Sequence, residues 1–226
     1  ANTLALTRTA GQDTQRAFAS ARWDMRTLTG LGQEVLFTGY VRADAYHTDD
    51  VLRTITESYR GRPGWTGRAI AAAAMDVKWP FIGEFFGGTQ RLTPRIQLVV
   101  TPNLANLKIP NEDSRAFDLE DSNLFALNRF PGYDRFEDGA RVTYGVEWQL
   151  DRPGLSINAI VGQSYRLSNK PSIFPDGTGL TNRTSDIVGR TTVRYRDFVS
   201  FTHRYRVDKD SLAIRRNEID ATIGTD

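Results

Sequence analysis

Across most of this sequence, apolar and polar side chains alternate residue by residue. In GARVTYGVEWQLD, residues 139–151, Ala140, Val142, Tyr144, Val146, Trp148 and Leu150 fall on one side. Arg141, Thr143, Gly145, Glu147, Gln149 and Asp151 fall on the other. Residues 154–168 set Leu155, Ile157, Ala159, Val161, Tyr165 and Leu167 against Ser156, Asn158, Gly162, Ser164, Arg166 and Ser168, with Gln163 the exception. In 32–46, Val35, Phe37, Val41, Ala43 and Ala45 oppose Glu34, Thr38, Arg42 and Asp44. A period of two marks strands whose faces meet different surroundings.

The pattern predicts ten strands, over about 2–10, 15–27, 32–47, 66–82, 89–101, 138–151, 154–168, 184–196, 198–208 and 211–223. Many exceed the five or six residues usual in soluble sheets. They match the roughly nine to eleven tilted residues that cross a bilayer. GRAIAAAAMDVKW has helical propensity, but Ala69, Ala71, Ala73, Met75, Val77 and Trp79 alternate with Arg68, Asp76 and Lys78, so it reads as a strand. DDVLRTITESY, residues 49–59, spaces Val51, Leu52, Ile55 and Tyr59 as a short helix, with Asp49 placed to cap it.

Short gaps near 28–31, 83–88, 152–153 and 197 alternate with long ones at 48–65, 102–137 and 169–183. The gaps at 11–14 and 209–210 take long-loop positions but are short. This layout predicts an all-β fold: an antiparallel up-and-down transmembrane β-barrel with short periplasmic turns and long extracellular loops. Trp23, Met25, Trp79, Phe81 and Trp148 fall near the short-turn ends on the apolar face, as an interfacial aromatic girdle would. Mean hydropathy is −0.44, and no apolar run is long enough for a membrane helix. Neither point bears on a barrel, which shows lipid only alternate residues.

Charge narrows function. Lys and Arg number 29 and Asp and Glu 27, a net charge of +2, too balanced for a dedicated nucleic-acid binder. Cysteine is absent, which removes thiolate chemistry and disulfides. His47 and His203 lie on different predicted strands with no triad or zinc partners, and read as packed or interfacial side chains. No phosphate-binding loop, nucleophile elbow or metalloprotease motif occurs. An enzyme, a metal centre and a cofactor are therefore not expected. NEDSRAFDLEDSN gathers Glu112, Asp113, Asp118, Glu120 and Asp121 without calcium-loop spacing and reads as an exposed acidic loop. The polar strand faces are rich in arginine: Arg190, Arg194 and Arg196 on one strand, Arg204 and Arg206 on the next. Such a row either contacts anions in a lumen or pairs with neighbouring carboxylates, and pairing is the preferred reading.

One segment is too specified for an ordinary loop. Residues 109–148 contain Pro110, Asn111, Glu112, Asp113 and Ser114, then Asp121, Asn123, Leu124 and Phe125. Asn128, Arg129, Phe130, Gly132, Tyr133, Asp134 and Arg135 follow, before Gly139 and Arg141. This block resembles the C-terminal barrel domain of the LptD (OstA/Imp) family. The resemblance implies a Gram-negative outer-membrane barrel that places lipopolysaccharide in the outer leaflet. It also implies an LptE-type lipoprotein plug and a periplasmic Lpt bridge reached through a domain not in this chain. Residues 1–226 are then expected to be an internal part of a single, larger barrel domain. The long loop 102–137 is expected to cap the extracellular mouth. In it Phe130 and Tyr133 would pack inward, Pro131-Gly132 would turn, and Arg129, Asp134 and Arg135 would fix the loop by charge-assisted bonds. A porin without an assembly role and a soluble β-rich binding protein are the alternatives.

Overall fold

A computed structural model describes residues 11–224. It contains ten strands in one antiparallel sheet. They are β1 (Asp13–Leu28), β2 (Glu34–Asp49), β3 (Gly64–Lys78), β4 (Phe81–Phe85), β5 (Gly88–Thr101), β6 (Gly139–Arg152), β7 (Leu155–Arg166), β8 (Ile187–Tyr195), β9 (Val199–Val207) and β10 (Ile214–Ile223). The order is β1-β2-β3-β5-β6-β7-β8-β9-β10, with β4 paired to β5. The strand expected over 2–10 lies outside the described residues. Long and short connections alternate as the sequence predicts, so every long loop emerges at one end of the sheet.

Two local expectations need correction. The strand expected over 66–82 is broken at Pro80, which can donate no ladder hydrogen bond. The first part of β5 pairs with β4, from Phe85↔Gly88 to Phe81↔Leu92. Its later part pairs with β3, from Lys78↔Arg95 to Ala73↔Val100. The tight turn is at Phe86 and Gly87, both at positive φ. The helix expected over 49–59 is two separate turns, a 3-10 turn at Val51–Arg53 and α1 (Glu57–Arg60). Thr54 and Thr56 are extended between them, and Asp50 rather than Asp49 precedes the first. Leu52 and Ile55 are exposed, so no apolar stripe holds one continuous helix together.

Burial is inverted relative to a protein packed for water. On the face expected to be apolar, Trp23 is 58% exposed, Val41 54% and Ile96 49%. On the opposite face Arg42 is 4% exposed, Arg68 6% and Arg141 3%. Among the described residues no second sheet covers the apolar side. The buried apolar clusters instead lie between loops and the polar face. One joins Leu119, Leu124, Phe130, Phe174 and Leu180 to Val188 of β8; the other joins Phe136 to Ile70 and Ala72 of β3. At the short-turn end the Trp79 indole donates to the Leu31 carbonyl at 3.0 Å, and the Trp148 indole to Gln90 at 3.1 Å. Trp65 packs on His47 near the other end, so indoles mark both rims, as amphipathic rings do at membrane interfaces.

Candidate functional site

The site is the segment between β5 and β6, residues 102–138. It does not extend outward from the sheet but lies against the polar face, where the strands meet it with arginines. Arg16 of β1 binds Asp113 at 2.7 Å and Asp134 at 2.8 Å. Arg42 of β2 and Arg68 of β3 donate to the Tyr133 carbonyl, and Arg68 also donates to the Asp134 carbonyl. Gln97 of β5 donates to the Phe125 carbonyl. Arg141 of β6 donates to the Ala126 and Leu127 carbonyls. Arg190 of β8 pairs with Asp121 at 3.3 Å, Arg206 of β9 with Asp118, and Arg216 of β10 with Asp118 and Glu120.

These bonds fix the curvature of the sheet. Arginines of both edge strands, β1 and β10, and of strands between them all meet this one loop, with Asp113 bound to β1 and Asp118 to β10. The sheet therefore curls around the loop with its polar face inward.

Within the loop, two carboxylates clasp each other's backbone. Asp134 accepts from the amides of Glu112 (2.7 Å) and Asp113 (3.1 Å). Asp113 accepts in return from the amides of Tyr133 and Asp134, each at 3.0 Å. Gly132 is required by this packing, because a Cβ there would overlap the Asp113 carboxyl. Ser114 donates to Asp113 and accepts from the Arg135 amide. Asn111 accepts from the Ser114 amide, three residues on, at 3.0 Å and so bridges the start of the segment. Burial pushes the Asp113 carboxyl up, but bonds from the Tyr133 amide, Arg16, the Asp134 amide and Ser114 outweigh it and hold it well below the usual carboxylate range.

The remaining motif residues lock neighbouring turns. Asn123 ties Asp118 to Glu120 through both ends of its amide. Asn128 accepts from the Glu137 amide and donates to the Arg135 carbonyl. Arg129 grips Glu137 with two guanidinium nitrogens, and Arg141 binds the same carboxylate at 2.9 Å. Burial raises the Glu137 pKa, but the two arginines overcome it and the carboxyl stays below its ordinary value. Among the described residues Arg135 finds no carboxylate; it donates to the Ile109 and Ser58 carbonyls at 2.8 Å. Burial lowers its pKa to about 10. Phe130 stacks on Phe174 with centroids 4.4 Å apart. Tyr133 stacks on Phe18 at 4.7 Å yet keeps its outer edge exposed. Pro110 is buried against Gly61, where a Cβ would lie 2.5 Å from the Pro110 nitrogen.

The structure thus brings together the sixteen motif residues named from Pro110 to Arg135, Glu112 through its backbone alone, while Pro131 stays at the exposed turn. The acidic segment is not merely exposed: Asp113, Asp118, Glu120 and Asp121 are all matched by strand arginines. Among the described residues no cluster suited to a metal occurs. The five arginines grouped on β8 and β9 separate. Arg206 is buried between Asp118 and Asp186, and Arg204 pairs with Asp220. Arg190, Arg194 and Arg204 line one open recess with Ser156, Asn158, Thr192 and Thr202. Arg196 does not line the strand. β8 ends at Tyr195, and Arg196 occupies the turn at φ 49, over the Tyr195 ring. Sequence reasoning left Arg16, Arg68 and Glu137 out of the site. The available signal was one arginine near the long-loop end of nearly every inward face.

A family model described as LptD, LPS transport system D, matches residues 1–226. LPS-assembly protein LptD of Nitrosospira multiformis is 39% identical over 77 residues, 34% of this chain and 8% of that protein. The Azoarcus sp. protein of the same name is 31% identical over 111 residues, 47% of this chain and 14% of its own length. That of Burkholderia pseudomallei is 25% identical over 206 residues, 80% of this chain and 26% of its own. The chain spans about a quarter or less of these relatives.

Proposed function

The chain belongs to the LptD family, and on that premise we propose that it is part of an outer-membrane β-barrel that inserts lipopolysaccharide into the outer leaflet of a Gram-negative bacterium. Residues 1–226 form one stretch of the barrel wall, and the loop between β5 and β6 closes its extracellular mouth. The observation that carries this reading is the inverted burial: apolar side chains face out, and charged side chains surround a loop folded inside. Only lipid on the outside makes that arrangement favourable. Lipopolysaccharide is the cargo, and its transfer needs no covalent step from this chain. An LptE-type lipoprotein and the periplasmic Lpt bridge are the partners. The recess at Arg190, Arg194 and Arg204 gives anionic groups a contact within the lumen.

The cap is tested in the full-length protein by Arg129→Ala and Asp134→Ala. Each removes a buried charged partner, so the loop should loosen, sensitivity to large antibiotics should rise, and surface lipopolysaccharide should fall. If both variants keep wild-type sensitivity and surface lipopolysaccharide, the loop is not the cap. Liposome swelling by the intact wild-type protein would point instead to a diffusion channel.

A further inference from the structure

Three arginines stand side by side where the strands leave the membrane region. Arg141 of β6 is the register partner of Arg166 of β7. Beyond β7 the ladder continues through the Tyr165↔Thr184 bridge, and the Arg166 amide donates to the Arg183 carbonyl at 2.7 Å. The row is therefore Arg141, Arg166, Arg183 across three adjacent segments. Like charges directly opposite across strands repel. One carboxylate answers part of this: Glu137 binds Arg141 and Arg129. Among the described residues neither Arg166, Arg183 nor Lys170 has an acidic partner.

Arg166, Arg183 and Lys170 line one narrow cleft, about 20 Å³, between the β6–β7 rim and the segment 168–183. Arg129 also lines it, and its Nη1 is buried without a hydrogen-bond partner, as is Nε of Arg166. Arg129 itself is 4% exposed. Two carboxylates line it as well: Glu137, taken up by Arg129 and Arg141, and Asp138, which accepts from the Leu104 amide; Ser168, Ser172 and Asn182 add neutral polar groups to the rim. Cationic residues thus outnumber carboxylates in the cleft, Arg166 and Arg183 have no ion pair among the described residues, and the free Nη1 of Arg129 leaves a buried donor, a combination that suits one compact, multiply charged oxyanion. Guanidinium forks match the tetrahedral oxygens of phosphate.

We propose that this cleft is an anion site for a phosphate group, held by Arg166 and Arg183 with Arg129 at its base. The site stands on the chemistry of the cleft; only its placement at the extracellular rim rests on the barrel reading above. The group is either free phosphate or the phosphate of a lipid headgroup.

The test uses the full-length protein in phosphatidylcholine nanodiscs, titrated with inorganic phosphate at constant ionic strength against chloride. Amide exchange over residues 166–183 should slow saturably. The double variant Arg166→Gln/Arg183→Gln should need about tenfold more phosphate or beyond, as expected when charged hydrogen bonds are lost. A second arm replaces part of the phosphatidylcholine with phosphatidylglycerol. Protection there without added phosphate identifies the headgroup as the source, and protection by free phosphate alone identifies the free ion. No protection with either probe beyond chloride, or an unchanged midpoint in the double variant, overturns the proposal. If the double variant fails to show heat-modifiable folding, the wild-type titration decides alone. Neither probe is lipopolysaccharide, so failure here is separable from failure of the delivery reading.

Discussion

The smallest unit that explains the loop is the pair Asp113 and Asp134, each capping two amides beside the other. A loop of this length orders only if its own side chains satisfy its backbone. Charge-assisted bonds to a carboxylate do so more strongly than neutral ones. Asp113 is ionised more easily here than when free, since its pKa is lowered from 3.8. A depressed value stabilises the ordered state above the unfolded pKa, and the effect is lost as pH falls through the folded one. Protection of the Tyr133 and Asp134 amides, corrected for intrinsic exchange, should thus stay level from pH 7 to 5 and collapse only below 3.8. At pH 7, Asp113→Asn removes the charge and the Arg16 ion pair. It should lower protection of those amides by about 1–3 kcal/mol. Equal protection in the variant and the wild type would show that the clasp does not hold the turn.

At the scale of elements, the period of two was enough to place the long strands and their faces, because each inner row and each outer row meets one medium. It failed where another rule competed. Pro80 and the left-handed Phe86 split off β4, which the alternation through Trp79 and Phe81 had merged with β3. Leu52 and Ile55 looked helical but have nothing to pack on. The acidic run was legible as charge but not as partnership, because Arg16, Arg190 and Arg206 reach it from strands far away in sequence. The motif residues were legible only as a group. Their contacts depend on the curl of the sheet, which no local pattern states. One element-scale feature was visible yet unexplained: Gly145 and Gly162 are register partners on adjacent strands. They face the loop, and a Cβ at Gly162 would sit 2.6 Å from Leu124 Cδ2. The missing side chains leave the hollow that Leu124 and Phe125 fill. Gly162→Ala should overpack this contact by about 1–3 kcal/mol. The same Cβ would crowd the Tyr144 carbonyl oxygen at 2.7 Å, so β6 must give locally too, and the loop should become about tenfold or more sensitive to added protease in intact cells. Cleavage no faster than in the wild type would mean that the loop does not depend on the hollow.

For the whole molecule, the two faces of the sheet must obey opposite rules. Inside, most buried charges are matched. Asp44 lies between Arg42 at 2.7 Å and Arg68 at 2.6 Å, and Asp76 accepts from Arg95 and Gln97. A new charge there meets water or a partner. Outside, the row Tyr144, Val146, Val161 and Ile96 has no protein cover among the described residues. In water so much contiguous apolar surface would drive aggregation. In lipid it is the favourable state, and a charge introduced there costs about 2–4 kcal/mol near the bilayer midplane. Val146 is midway along β6 and tests this directly. Val146→Arg in the full-length protein should lower the denaturant stability measured in lipid vesicles by that amount, and weaken the folded band on unheated gels. Gln149→Arg, three residues further on and turned to the inner face, meets its register partner Arg91 but also Asp151 and water, and should lose less than half as much. The contrast matters more than either value, because both substitutions add the same side chain to the same strand. If the two variants lose stability equally, the faces do not meet different media, and neither the inward loop nor the outward rows can be explained by a wall standing in a membrane.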